Sequence, residues 1–359
     1  MGRSDERTRR QRRSALLVTS TLIVLAACAS AAGGGPARAP TAAKPLTLRL
    51  GFFPNVTHAT ALVGVQRGIF ASKLGPNVKL QTKTFNAGPA AVEALFGDAV
   101  DAAYVGPNPA INAFIRSKGK AIRIVSGATS GGAFLVAKPT ITAAADLKGT
   151  KVASPQLGGT QDVALRAWLK TNGLRADSDG GGDVHVVPQP NAQTLETFKS
   201  GAISAAWVPE PWASRLVTEG GGRVLVDERD LWPEGQYVTT QLVVATKFLA
   251  RHPDVVEQLI EGQVAANDTI NADPAGARKA ANDLIEKLTQ KRLSDAIISA
   301  AWTHLTFTND PIASSLKKSA ADARAVGLID RSDLTGIYDL SILNKVLTAA
   351  GRPPISAGV

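Results

Sequence analysis

The residues best placed to do chemistry are Lys151-Val152-Ala153-Ser154-Pro155-Gln156-Leu157-Gly158-Gly159-Thr160-Gln161-Asp162. Their types read as a short strand, a glycine turn and the start of a helix. The spacing predicts a helix from Gln161 to about Thr171, closed by Asn172-Gly173. Thr160 stands where an N-cap hydroxyl would face the free N–H groups of the first turn. Gly158 and Gly159 carry no Cβ, so a ligand can come close to the backbone. First-turn N–H groups and the helix dipole both favour negative charge, which makes the stretch a candidate anion site. Ordinary strand-to-helix turns look the same, so the surrounding elements have to decide.

Other chemistries find little support. Cys28 is the single cysteine, which excludes an intramolecular disulfide and a multi-cysteine metal site. His58, His185, His252 and His304 are far apart and lack metal-ligand spacing, so no metal and no cofactor is expected. Gly127-Ala128-Thr129-Ser130-Gly131 misses the Gly-x-Ser-x-Gly elbow of serine hydrolases by one position. The net charge of +10 includes six arginines within residues 1–13, set against Asp5 and Glu6. The basic excess that remains suits an anionic ligand. No basic run with interleaved aromatics is present, so nucleic acid is not an expected partner.

The amino terminus sets the address. An arginine-rich start is followed by the short apolar run Ala15–Ala27, about half of the ~20 residues a membrane span needs. That layout is an export signal over residues 1–27. Leu25-Ala26-Ala27-Cys28 resembles the lipobox of bacterial lipoproteins. The resemblance implies cleavage before Cys28 and lipid on that residue, with 28–45 as an Ala/Gly/Pro-rich flexible tether. The folded body would hang from the outer face of the cell membrane or stand in the periplasm.

From Leu46 onward strands alternate with helices, which predicts an α/β fold with mostly parallel sheets. Ligands of such sheets bind beyond the carboxyl ends of the strands. The segments there are Phe53-Pro54-Asn55, Asn86-Ala87-Gly88, Gly106-Pro107-Asn108 and Gly127 to Gly132, all small, polar or Gly/Pro-rich. A second α/β unit begins near residue 139, and from His252 the chain reads as mainly helical. Two lobes follow: lobe I from 46–136 with 241–359, and lobe II from 137–240, with crossings near 133–139 and 239–246. The late helices pack back on lobe I, and the ligand lies in the cleft between the lobes. Ala164 and Trp168 lie four apart on the helix after the opening stretch, so Trp168 is expected in the core.

Several blocks in order carry a family resemblance: Leu48-Arg49-Leu50-Gly51, Phe85-Asn86-Ala87-Gly88-Pro89, Gly106-Pro107-Asn108-Pro109, Asp146-Leu147-Lys148-Gly149-Thr150-Lys151-Val152-Ala153 and Trp207-Val208-Pro209-Glu210-Pro211. Together they resemble the periplasmic solute-binding proteins of nitrate/sulfonate/taurine ABC importers, most of all the aliphatic-sulfonate-binding branch. The likeness covers most of residues 46–330. It implies a type II-like two-lobed binding protein fold, a small sulfonate-type ligand such as an aliphatic sulfonate or taurine, and an ABC permease with its ATPase as partners. In that family the opening stretch caps the anion with a Gly-Ser-Ser/Thr turn. Here Gly158-Gly159-Thr160 keeps one hydroxyl. Glu210 lies in the segment that faces the cleft, where it would orient an amine or hydroxyl of the ligand or serve as a turn residue.

The cleft is expected to draw on Phe53 and Asn55, Asn86 and Gly88, Asn108, Ser126 and Ser130 from one lobe. From the other it takes Gln156, Gly158, Gly159, Thr160, Gln161, Glu210 and Trp212, with Phe53 and Trp212 flanking an organic tail. The expected protein is a monomer without catalytic residues. Nitrate, bicarbonate, a thiamine-pyrimidine precursor or a flavin precursor are alternative ligands in the same class. An enzyme like the pyrimidine-precursor synthases is disfavoured, because their cysteine-rich motif has no counterpart after Cys28.

Overall fold

The computed structural model describes residues 46–358. The expected signal peptide, Cys28 and the tether lie outside the described residues. The strands are β1 (Leu46–Phe52), β2 (Val78–Thr84), β3 (Ala102–Val105), β4 (Ile122–Gly131), β5 (Ala133–Ala137), β6 (Lys151–Ser154), β7 (His185–Pro188), β8 (Ala205–Pro209), β9 (Arg223–Asp227), β10 (Val238–Ala245) and β11 (Leu305–Phe307). They form two sheets, ordered β11-β4-β10-β3-β1-β2 and β7-β6-β8-β5-β9.

Residue patterning explains the places in these sheets. In β1, Leu48 and Leu50 are fully buried while Arg49 between them is half-buried, the period-two alternation of a strand. Every residue of β3 is buried, so Ala102-Ala103-Tyr104-Val105 shows no alternation: both faces are covered. β2 is an edge strand, and Lys79 and Lys83 are exposed along it, which discourages pairing with a second chain.

The sheets are less parallel than the alternating pattern predicts. β1 runs parallel to β2 and β3, and β6 runs parallel to β7 and β8. β10 enters antiparallel between β3 and β4, with Leu242 opposite both Tyr104 and Ser126. β5 is likewise antiparallel to β8 and β9. The reason is the route of the chain. It passes from the first sheet to the second between Gly131 and Ala133 and returns between Asp227 and Val238. A strand that arrives from the other lobe enters against the βα direction of its new sheet. Gly131 and Gly132 hold φ of +80° and +76° at the first passage, a backbone that glycine adopts without strain.

Two regions differ from the sequence pattern in extent. β10 begins at Val238, one residue before the expected return crossing near 239–246, and β11 is not legible as a strand in the pattern. Three residues of β11 pair with the end of β4. Helices Pro253–Ala272 and Pro274–Thr289 pack on helix Ala59–Gln66 of the first lobe, as the helical C-terminal pattern implies. Helix Ala313–Ala325 contacts both Pro107–Arg116 and Thr160–Thr171, so it spans the seam between lobes. Trp168 is half-buried against the core of the second lobe, edge-on to fully buried Trp207 at 6.2 Å.

Candidate functional site

Helix Thr160–Thr171 starts one residue earlier than its pattern predicts, and Gly159 is its N-cap, without a side-chain capping bond. Thr160 is thereby released from capping. Its hydroxyl is buried with no hydrogen-bond partner among the described residues and stands where a Cβ on residue 106 would have to go. Gly106 belongs to the first lobe, so this is a contact across the cleft that only glycine at 106 permits.

Four α-helices begin around one small cavity between the lobes. Its lining includes Ala87 and Gly88 at the start of helix Gly88–Phe96, Gly106 at the start of Pro107–Arg116, Gly159 to Gln161 at the start of Thr160–Thr171, and Asn191 at the start of Asn191–Lys199. Asn55, Thr57 and His58 add the short 3-10 turn Val56–His58, which runs on into Ala59–Gln66. None of the four α-helices has a side-chain cap. The first N–H groups of a helix have no partner within it, and together with the dipoles they make a positive field without a cation. Pro89 and Pro107 lack an N–H, so those two helices offer fewer donors.

Three helices carry no acidic residue in their first turn. The exception is Asp162, whose charge is absorbed locally. Its carboxylate accepts from Ser154 Oγ at 2.7 Å, Gly158 N at 3.0 Å and Arg166 Nε at 3.1 Å. Among the described residues, no lysine, arginine, aspartate or glutamate lines the cavity. His58 does line it, and burial pushes its imidazole down to about 3, so the ring is neutral. The Phe53 N–H donates to His58 Nδ1 at 3.4 Å, which leaves the ring proton on Nε2 as a donor. Asn191 Oδ1 and Thr240 Oγ1 are buried and unpartnered as well. The cavity measures about 30 Å³.

Of the residues anticipated from the sequence, Phe53, Asn55, Asn86, Gly88, Gly159, Thr160 and Gln161 are brought together around this cavity. The others are elsewhere. Asn108 donates its amide to Ser319 O at 3.0 Å, and Ser126 donates to Gly127 O at 2.8 Å. Ser130 lies by the first passage between the lobes and accepts from Tyr237 N. Gln156 is half-buried outside the lining, and the Gly158 N–H is already taken by Asp162. Glu210 does not face the cavity. It is fully buried, accepts from Ser214 N and Oγ at 3.1 and 2.9 Å, and contacts His304 Nδ1 at 2.7 Å. Trp212 joins the lobes instead of flanking the cavity, its indole N–H donating to Asn55 Oδ1 at 2.9 Å.

Thr57, His58, Asn191, Thr239 and Thr240 are further polar residues of the lining, outside the set expected from the sequence. Asn191 carried a usable signal, since it opens a helix just after Pro188-Gln189-Pro190. Thr239 and Thr240 carried none, because only the return of β10 to the first sheet brings them here.

Two sheets, two passages between them and a cleft lined by helix N-termini define the class of two-lobed periplasmic binding proteins. Two solved structures share the architecture. The alkanesulfonate-binding protein SsuA from Xanthomonas axonopodis pv. citri, bound to MOPS, superposes with a TM-score of 0.68 at 21% identity, covering 82% of this chain and 97% of that one. The periplasmic nitrate-binding protein NrtA from Synechocystis PCC 6803 gives 0.70 at 17% identity, covering 88% and 92%. In sequence, the taurine-binding periplasmic protein of Escherichia coli is 26% identical over 205 residues, 57% of this chain and 61% of that protein. The model of the NMT1-like family matches residues 41–285, and the chain belongs to that family.

Proposed function

We propose that this protein is the extracytoplasmic solute-binding component of an ABC importer, and that it holds a small sulfonate-type anion between its lobes and delivers it to a permease driven by an ATPase. The observation that carries this reading is the meeting of four uncapped helix N-termini around one cavity whose lining, among the described residues, includes no lysine, arginine, aspartate or glutamate. A full cation would have to be desolvated each time an anion entered or left. Helix termini and neutral donors such as Thr160, Asn191 and His58 stabilise an anion and still let it go.

The remaining assignments rest on the same reading. Lobe I takes 46–136 with 241–359 and lobe II takes 137–240, with closure about the two passages. Cys28 carries the lipid that holds the monomer at the membrane.

One observation favours a second ligand. A cavity of about 30 Å³ is on the scale of a few atoms, so nitrate or bicarbonate fits with less opening than a sulfonate with its tail. A thermal-shift panel of methanesulfonate, taurine, nitrate and bicarbonate tests the class and separates the two readings. Stabilisation by none of them contradicts the proposal.

A further inference from the structure

Glu228 is a buried carboxyl that the anion site does not use. It opens the 3-10 turn Glu228–Leu231 on the second passage between lobes and is 2% exposed. Its Oε2 accepts from Trp207 Nε1 at 2.8 Å, on the second-lobe side. Its other face looks into the seam. There it lines, with Ala164 and Trp232, the space between helix Thr160–Thr171 and the Lys318–Asp322 face of helix Ala313–Ala325. Lys318 stands over the Trp232 ring at 4.6 Å and is ion-paired with Asp322, so its charge is already matched. Arg229 is likewise paired with Asp227. Glu228 therefore sits in the hinge, covered by both lobes, with no cation of its own.

From this placement we infer that closing of the lobes around an anion takes up a proton on Glu228, so that binding and acidification reinforce each other. This rests on the binding reading above. When the lobes part, helix Ala313–Ala325 withdraws and water reaches the carboxyl, which then ionises as an ordinary glutamate does, near 4.5. When they close, burial raises it to about 7, Asp227 adds to the rise, and Trp207, Trp232 and Lys318 hold it from going higher. Between these values the open form is ionised and the closed form protonated. Affinity then rises by up to about tenfold for each unit the pH falls between 7 and 5, and is flat above about 8. Tyr237 is the remaining titratable group facing Glu228, and burial holds it neutral throughout this range. His58 has the opposite sign wherever opening exposes it, so the contribution of Glu228 is the difference between wild type and Glu228→Gln.

The test is calorimetric titration of the full chain with methanesulfonate and with nitrate, neither of which titrates here, at pH 6 and pH 8.5 in buffers of different ionisation enthalpy. The expected result is uptake of most of one proton at pH 6, none at pH 8.5, and loss of the pH 6 uptake in Glu228→Gln with affinity near the wild-type acid limit. Equal uptake in wild type and variant, or none in wild type, overturns the inference. If neither anion binds, and taurine and bicarbonate do not bind either, the function proposed above falls and the hinge is read directly. Carbon-13 NMR of the Glu228 carboxyl, beside small-angle scattering at each pH, must give a midpoint near 7 with a closed profile at low pH. An ordinary midpoint in a closed protein, or an open profile at every pH, overturns the inference.

Discussion

The Thr160 hydroxyl of one lobe occupies the space that a side chain at Gly106 of the other would need. The two lobes thus meet in the lining of the cavity between them, through an atom that has no hydrogen-bond partner among the described residues. Gly106→Ala places a methyl group into that contact. Overpacking of this kind costs enough to weaken anion binding by roughly ten- to hundredfold. The penalty falls on closure, so the thermal midpoint without ligand changes little. Calorimetry beside a thermal melt reads the two effects separately.

Thr160→Val keeps the shape and removes the hydroxyl. A hydrogen bond to an anion is among the stronger ones, so affinity should fall by about ten- to hundredfold. Titration with methanesulfonate and nitrate measures it, and an unchanged affinity moves the anion away from this helix start.

Trp212→Phe tests the lock between lobes. It removes the bond to Asn55 and keeps an aromatic ring. One neutral hydrogen bond at the seam is worth a loss of about three- to tenfold in affinity. The off-rate from stopped-flow fluorescence should rise by the same factor, because the bond forms only once the lobes have closed.

The helix start was legible to within one residue, Gln161 against Thr160, because Gly-Gly followed by the spacing of Ala164 and Trp168 is local information, whereas the cap is Gly159 and not Thr160. The lobes were legible in the same way, from alternating strands and helices. What the chain does across the cleft was not. Glu210 reads as a residue facing the cleft, yet its carboxylate is turned into Ser214 and His304, and His304 comes from 94 residues further on. Asn108 stands in a Gly/Pro turn like its neighbours, but the helix it opens points its amide at Ser319. Thr240 reaches the cavity only because β10 re-enters the first sheet antiparallel. Such residues are set by the route of the chain, which local spacing does not encode.

Two buried groups give stability opposite dependences on pH. His58 is held down at about 3 in the folded chain, against about 6.5 when unfolded. As pH falls below 6.5 the unfolded chain binds this proton first, so stability is full above 6.5 and is lost on acidification towards 3. Glu228, raised to about 7, works the other way: its contribution is full below about 4.5 and is lost as pH rises through 7. Urea midpoints of the anion-saturated, closed protein at pH 5 and pH 8 therefore separate the two groups. His58→Gln should gain most at pH 5, and Glu228→Gln should gain most at pH 8.

The central claim is that uncapped helix N-termini hold a small oxyanion without help from a charged side chain. Its most direct test is calorimetric titration of the purified full chain with methanesulfonate, taurine, nitrate and bicarbonate, each at low and at high sodium chloride. Saturable one-to-one binding of at least one of them, abolished or sharply weakened by Thr160→Val, is the expected result. Binding of none of the four, or binding that Thr160→Val leaves unchanged, would contradict it.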